Sequence, residues 1–226
     1  MVIVAVDTSG RKGSVALCRG DGDTFDVLQL TSLEGGTYSA QLMPRIAELL
    51  HQNHLSKTQV DGFVVVSGPG SFTGLRVGLS TVKGLCEALQ KPLAAVSMLE
   101  GVALTHGSAG QAATVALDAG RGEVYIGEYQ VTTEGARAVR EYVAKLDVFA
   151  GEAAGAGGLL LTPDPKVAEA LQAANADMQL VPAIQADEIG RIGIRKLLAG
   201  EIADPATIDV NYIRRSDAEI FSTPRH

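Results

Sequence analysis

Ser67-Gly68-Pro69-Gly70-Ser71-Phe72-Thr73-Gly74-Leu75-Arg76-Val77-Gly78 follows an apolar run at 63–66 and opens a segment, 72–89, in which apolar and small residues recur at helical spacing. Strand, glycine loop and helix in that order put backbone N–H groups at a helix N-terminus, where an anion or a partner's backbone can dock. Gly68 and Gly70 permit angles that a β-carbon forbids, and Pro69 fixes its own φ. A tight strand-to-helix connection without any ligand uses the same residues, so the loop alone leaves both readings open. It lacks the Lys that a phosphate-binding G-x-x-x-x-G-K-[ST] loop places after its glycines. Thr73 stands where a dinucleotide-binding G-x-G-x-x-G has its third Gly, and no acidic residue follows near position 90 in a strand context. Ser71 fits a helix N-cap rather than the nucleophile of a G-x-S-x-G elbow.

Outward from this loop, the preceding residues read as a three-stranded meander. Residues 2–6, 14–18 and 25–30 form strands, with turns at Asp7-Thr8-Ser9-Gly10-Arg11-Lys12-Gly13 and Gly20-Asp21-Gly22-Asp23. A helix over 38–53 carries Leu42, Ile46, Leu49 and Leu50 on one stripe, with Pro44 near its start, where a weakened first turn is tolerable. A strand over 60–66 leads into the loop. Beyond the long helix, Lys91-Pro92 is a stop, 93–96 a short strand, and Ser97-Met98-Leu99-Glu100 a capping box for a helix to about residue 105. The succession then recurs. Strands are expected at 113–117, 123–131 and within 136–143, followed by a strand at 159–161, a helix at 165–174, a strand at 179–181 and a helix at 187–198. Asp7 and Asp118 head the two successions, a repeat of structure rather than of sequence. Halves 1–106 and 107–226, the second smaller and degenerate, fit an α/β fold with mixed sheets.

With 226 residues, 46% apolar and 20% charged, the chain is an ordinary globular sequence with enough length for a real core. Trp is absent and aromatics make up only 4%, so aliphatic residues must fill that core. A net charge of −7 argues against broad, direct nucleic-acid binding, which needs a basic surface to release counterions. Cys18 and Cys86 lie in apolar runs, so buried free thiols are expected. The first residues read as a strand rather than a signal peptide, and no run reaches membrane-spanning length, so a cytoplasmic protein is expected.

Gly74, Gly78, Thr81, Gly84 and Ala88 gather on one side of the long helix, with Leu75, Leu79, Val82, Cys86 and Leu89 supplying its apolar remainder. Small residues cost helix propensity but allow close approach of another element, either of this chain or of a partner. Asp7-Thr8-Ser9 and Asp118, at the strand ends that head the two successions, are the residues to weigh for catalysis. The same Asp residues could simply satisfy turn N–H groups. His51 and His54, at i and i+3 near a helix end, have no Cys or carboxylate at matching spacing, and no metal is expected.

Val4-Ala5-Val6-Asp7-Thr8-Ser9, the loop from Ser67 to Gly78, Asp118-Ala119-Gly120-Arg121-Gly122-Glu123-Val124-Tyr125 and Tyr212-Ile213-Arg214-Arg215 resemble, in order along nearly the whole chain, the bacterial TsaB (YeaZ) family. The resemblance implies an α/β fold that duplicates the actin-like (ASKHA, sugar kinase/HSP70-like) ATPase unit, with mixed sheets and flanking helices. It also implies a non-catalytic scaffold that binds TsaD and, with TsaE, supports transfer of threonylcarbamoyl to N6 of the adenosine adjacent to the anticodon in tRNAs reading codons that begin with A. Contact with tRNA would be indirect, and a homodimer is a further expected state. Leu42, Ile46, Leu50, Gly70, Ser71, Phe72, Gly74, Leu75, Arg76, Gly78, Leu79 and Val82 would form a helical bundle with the counterpart helices of TsaD or of a second copy, Arg76 anchoring a carboxylate across it. The isolated chain would need no cofactor, with ATP or ADP at the joint with TsaD. Asp7, Thr8, Ser9 and Asp118 would be a vestigial phosphate site. Where family members often carry a His before the Ser that opens the first helix, this chain has Tyr38-Ser39. The alternative is a stand-alone actin-like ATPase or a metallopeptidase.

Overall fold

The computed structural model describes residues 1–21, 23–211 and 213. Gly22, Tyr212, Arg214, Arg215 and His226 therefore lie outside the described residues, and with them most of the C-terminal motif. The rest divides into two compact units, the first comprising Met1–Gly101 with Ile184–Val210 and the second centred on Val102–Ala183.

In the first unit β1 (Val2–Asp7), β2 (Lys12–Gly20) and β3 (Phe25–Glu34) form the expected antiparallel meander, and β4 (Gly62–Gly68) and β5 (Leu93–Ser97) add parallel strands in the order β3-β2-β1-β4-β5. Ile3, Val4, Ala5 and Val6 are all fully buried, without alternation, which is the mark of a strand covered on both faces. Helices α1 (Tyr38–Gln52) and α2 (Phe72–Leu89) pack on each other, α1 also against β2 and β3, α2 also against β4 and β1. The third cover is α6 (Ala186–Leu198), which lies on β2, β1, β4 and β5. It approaches closely because Gly190 and Gly193 lack side chains: a methyl on Gly190 would sit 3.0 Å from Cys18 Sγ, and one on Gly193 would overlap both methyls of Val64. The halves expected from sequence thus differ from the units seen, since α6 and the residues to Val210 belong with the first sheet. Glu100 on α3 (Met98–His106) meets Lys196 Nζ of α6 at 2.9 Å.

The second unit has β6 (Ala112–Gly120), β7 (Glu123–Val131) and β8 (Ala136–Lys145) antiparallel, with β9 (Leu159–Thr162) and β10 (Gln179–Leu180) added in parallel, in the order β10-β9-β6-β7-β8. Renumbered from its own first strand, this is the topology of the first sheet, so the repeat read in the sequence is a duplicated mixed sheet of the actin-like kind. Its core joins Val124, Ile126 and Leu160 of the sheet to Leu146, Phe149, Ala150 and Ala153 of α4 (Leu146–Ala153) and Val167 and Leu171 of α5 (Pro165–Ala173). Helix α4 has no counterpart among the sequence expectations, although its four core residues recur at i, i+3, i+4 and i+7. Among the described residues no helix is long and apolar enough to cross a membrane.

Candidate functional site

β1 delivers Asp7, Thr8 and Ser9 to the start of α2, and all three are buried. Asp7 Oδ1 accepts hydrogen bonds from the Ser9 N–H at 2.8 Å and the Ser9 hydroxyl at 2.6 Å, an Asx turn that points the carboxylate back at its own chain. Thr8 Oγ1 donates to the Gly74 carbonyl at 2.7 Å, and the Ser9 carbonyl accepts the Ser71 N–H at 2.6 Å. Ser71 caps α2, its Oγ accepting from the Gly74 N–H at 3.3 Å. The strand end and the glycine loop are therefore clasped together through backbone groups.

Bare backbone on α2 makes the clasp possible. A methyl on Gly70 would lie 2.5 Å from the Ser9 carbonyl oxygen, one on Gly74 would collide with the Thr8 carbonyl, and one on Gly78 with Thr8 Oγ1. Gly74 and Gly78 accordingly fit the chain's own first turn, at Thr8. The small-residue stripe breaks after them: Gly84 and Ala88 are exposed, and a methyl on Gly84 would meet nothing within 4 Å. Leu42 and Ile46 of α1, and Leu75, Leu79 and Val82 of α2, are likewise buried within the unit, and Leu50 is half-buried. Leu42, Ile46, Leu75 and Val82 thus pack inside this unit, while Leu79 also reaches the outward face of α2.

Burial is the dominant influence on the Asp7 carboxyl, raising its pKa above the ordinary value against the opposing effect of the two Ser9 hydrogen bonds. Tyr38 closes the same corner. Its hydroxyl donates to the Gly10 carbonyl at 2.8 Å and is pushed up to about 12 by burial, with the Asp7 and Glu34 charges adding to the shift. The group at the start of α1 is thus a phenol held in its protonated form.

In the second unit Asp118 is also spent locally. Its Oδ1 accepts the Gly120 N–H at 3.0 Å, and Lys166 Nζ lies 3.3 Å from both carboxylate oxygens, an exposed pair of small energetic weight. Its own N–H donates to Asp164 Oδ2 at 2.7 Å, and burial raises the Asp164 carboxyl. His51 and His54 are exposed, and α1 ends at Gln52, so His54 stands beyond the helix in a left-handed conformation at φ +54. Among the described residues no three His, Cys, Asp or Glu form a group able to hold a metal ion. Both cysteines are free and buried, as their sequence context implies.

The outward face of α2 is of a different character. Phe72 is 39% exposed with the Arg76 guanidinium 3.8 Å above its ring, and Gly70 and Ser71 are exposed beside it. A groove of about 520 Å³ runs along this face between Phe72, Thr73, Arg76, Val77, Ser80 and Lys83 on one wall, over the edge of Leu79, and Asp209-Val210 on the other. Lys83 Nζ donates to the Ile208 carbonyl at 2.9 Å and holds that second wall in place. On α1, Met43 is 48% exposed, with Ala40 and Ala47 exposed on either side of it. Val77, Ser80 and Lys83 escaped the sequence reading, although with Thr73 and Arg76 they repeat at helical spacing. Asp209 and Val210 carry no local signal, since their position depends on the return of α6 to the first sheet.

The family described as "TsaD: tRNA N6-adenosine threonylcarbamoyltransferase" matches residues 35–188. The tRNA threonylcarbamoyladenosine biosynthesis protein TsaB of Bacillus subtilis (strain 168) is 36% identical over 130 residues, 58% of this chain and 56% of that protein. The protein of the same name from Escherichia coli (strain K12) is 34% identical over 132 residues, 58% of this chain and 55% of its own length. The chain thus spans a little over half the length of the curated relatives it matches. A crystal structure from Pseudomonas aeruginosa, of an uncharacterized protein with similarity to peptidase YeaZ, superposes with a TM-score of 0.76 at 25% identity and covers 94% of this chain and 99% of that one.

Proposed function

The chain belongs to the TsaD family of tRNA N6-adenosine threonylcarbamoyltransferases, beside its TsaB (YeaZ) relatives, and from that premise we propose that it is an accessory, non-catalytic member of this machinery. It docks on TsaD through the outward faces of α1 and α2 and, with TsaE, supports threonylcarbamoyl transfer to N6 of the adenosine beside the anticodon. The observation that carries the proposal is the division of labour on α2. Its inward side is consumed by Thr8 and Ser9, whereas its outward side presents Phe72 and Arg76 at the head of a groove. Aromatic and Arg side chains in that setting are the residue types that dominate interface energies. The clasp also favours an accessory role over turnover, because the carboxylate of Asp7 and the Ser71 N–H are both engaged within the chain.

ATP or ADP at the joint with TsaD belongs to the same proposal, as does a homodimer that uses the same helical face when TsaD is absent. The test is reconstitution: tRNA, threonylcarbamoyl adenylate, TsaD and TsaE, with and without the purified chain. Modification is expected only when the chain is present, and full modification without it would remove the proposed role. Calorimetry with ATP or ADP, on the chain alone and then on its mixture with TsaD, checks the nucleotide.

A further inference from the structure

The second unit contains a cavity of about 190 Å³ that the proposed docking role leaves unused. Phe149, Leu160 and Tyr142 are its apolar lining, beside Gly157 and Gly158. Three carboxylates surround it, Glu128, Glu152 and Asp177, against the single cation Arg140. Arg140 is committed to Glu128, with Nη2 2.6 Å from its Oε1, and stacks 4.6 Å above the Tyr142 ring. Glu128 thereby has its counter-charge, with the Tyr142 hydroxyl 3.5 Å from the same oxygen. Glu152 makes no hydrogen bond among the described residues but feels the same Arg140 charge, and Asp177 has neither a hydrogen-bond nor an ion-pair partner among them.

We propose that this cavity binds a small organic cation, a primary ammonium group on a short apolar chain, with the chain on Phe149 and Leu160 and the ammonium between Glu152 and Asp177. The volume sets the size: a liquid-phase water takes about 30 Å³, so the space suits roughly six waters or a comparably small ligand. The ligand's charge follows from the surplus of negative groups at the mouth, and its apolar part from the lining. A neutral isostere would gain the apolar contacts alone, and an anion would meet repulsion.

The test uses the full chain and n-butylammonium as probe, followed by amide and methyl NMR shifts, with n-butanol and butyrate in parallel. Saturable shifts confined to Ala153, Leu160 and the 156–158 segment are expected with butylammonium, weaker ones with butanol and none with butyrate. The double variant E152Q/D177N, altered at two exposed side chains, should bind roughly three- to tenfold more weakly, the range for two exposed charge contacts. An unchanged melting temperature would confirm that its fold is intact. Equal affinity for butanol and butylammonium, or a double variant that binds like the parent, would overturn the charge selectivity, and absence of shifts at millimolar probe would overturn the site itself.

Discussion

Gly78→Ala and Gly84→Ala are the same substitution made on one helix, and they should change stability in opposite directions. Helix propensity alone would credit each with about 1 kcal/mol, because Ala loses less backbone freedom than Gly. At Gly84 the added methyl meets nothing within 4 Å, so most of that gain should appear. At Gly78 the methyl falls on Oγ1 of Thr8, a residue 1% exposed whose hydroxyl is hydrogen-bonded to the Gly74 carbonyl at 2.7 Å. Overpacking costs about 1–3 kcal/mol, and displacement of that hydrogen bond about 0.5–1.5 kcal/mol more. After the propensity gain, a net loss of about 0.5–3.5 kcal/mol remains. At about 2–4 °C per kcal/mol for a chain of this size, Gly84→Ala should raise Tm by a few degrees and Gly78→Ala should lower it by up to about ten. Thermal melts followed by circular dichroism, supported by urea titrations, give both values. Thr8→Ala removes the obstructing oxygen, so Gly78→Ala should cost less in that background, a coupling that a double-mutant cycle measures directly. If both Ala variants stabilise equally, the fit of α2 to the first turn is wrong.

Three further outcomes follow from the same packing. Asp7→Asn keeps the Oδ1 acceptor for Ser9 and removes a buried charge. Because burial raises the Asp7 pKa in the folded state, its contribution is full below the ordinary value of 3.8 and is lost as pH rises through the folded value. Asp7→Asn should therefore be at least as stable as the parent at pH 7 and show a flatter pH–Tm curve, and a large loss at pH 7 would contradict this. Cys18, pushed up to about 12, and Cys86, pushed up to about 11, should resist iodoacetamide in the native chain at pH 8 and react once urea unfolds it, as timed mass spectrometry would show. Gly193→Ala forces a methyl onto both Val64 methyls and should destabilise by about 1–3 kcal/mol in a urea titration, whereas a neutral result would place α6 further from the sheet.

Much of this architecture was legible because it is locally encoded. The bounds of α2 follow from Ser71 at its cap and the stop at Lys91-Pro92, and the meanders follow from Gly- and Asp-rich turns between apolar runs. The side of α2 facing inward was harder to read. Periodicity reveals that Gly74 and Gly78 share a face, but their neighbour is Thr8, 66 residues from Gly74, and no local pattern distinguishes that from a partner's helix. Helix α4 was hidden because it starts directly after β8 and runs into the Ala/Gly-rich segment 153–158, which masks its end. The return of α6 to the first sheet rests on Gly190 and Gly193 fitting Cys18 and Val64, again a match between distant residues. Asp7 and Asp118 were found by motif, and their local partners Ser9, Gly120 and Lys166 emerged only from the geometry.

The most direct measurement is the affinity of the purified chain for purified TsaD, with and without Phe72→Glu. Phe72 is 39% exposed on the outer face of α2, so the substitution should leave Tm unchanged. Loss of an aromatic anchor costs about 2 kcal/mol or more, so binding should weaken about 30-fold or beyond. Undiminished binding by the Phe72→Glu chain would place TsaD elsewhere and contradict the account.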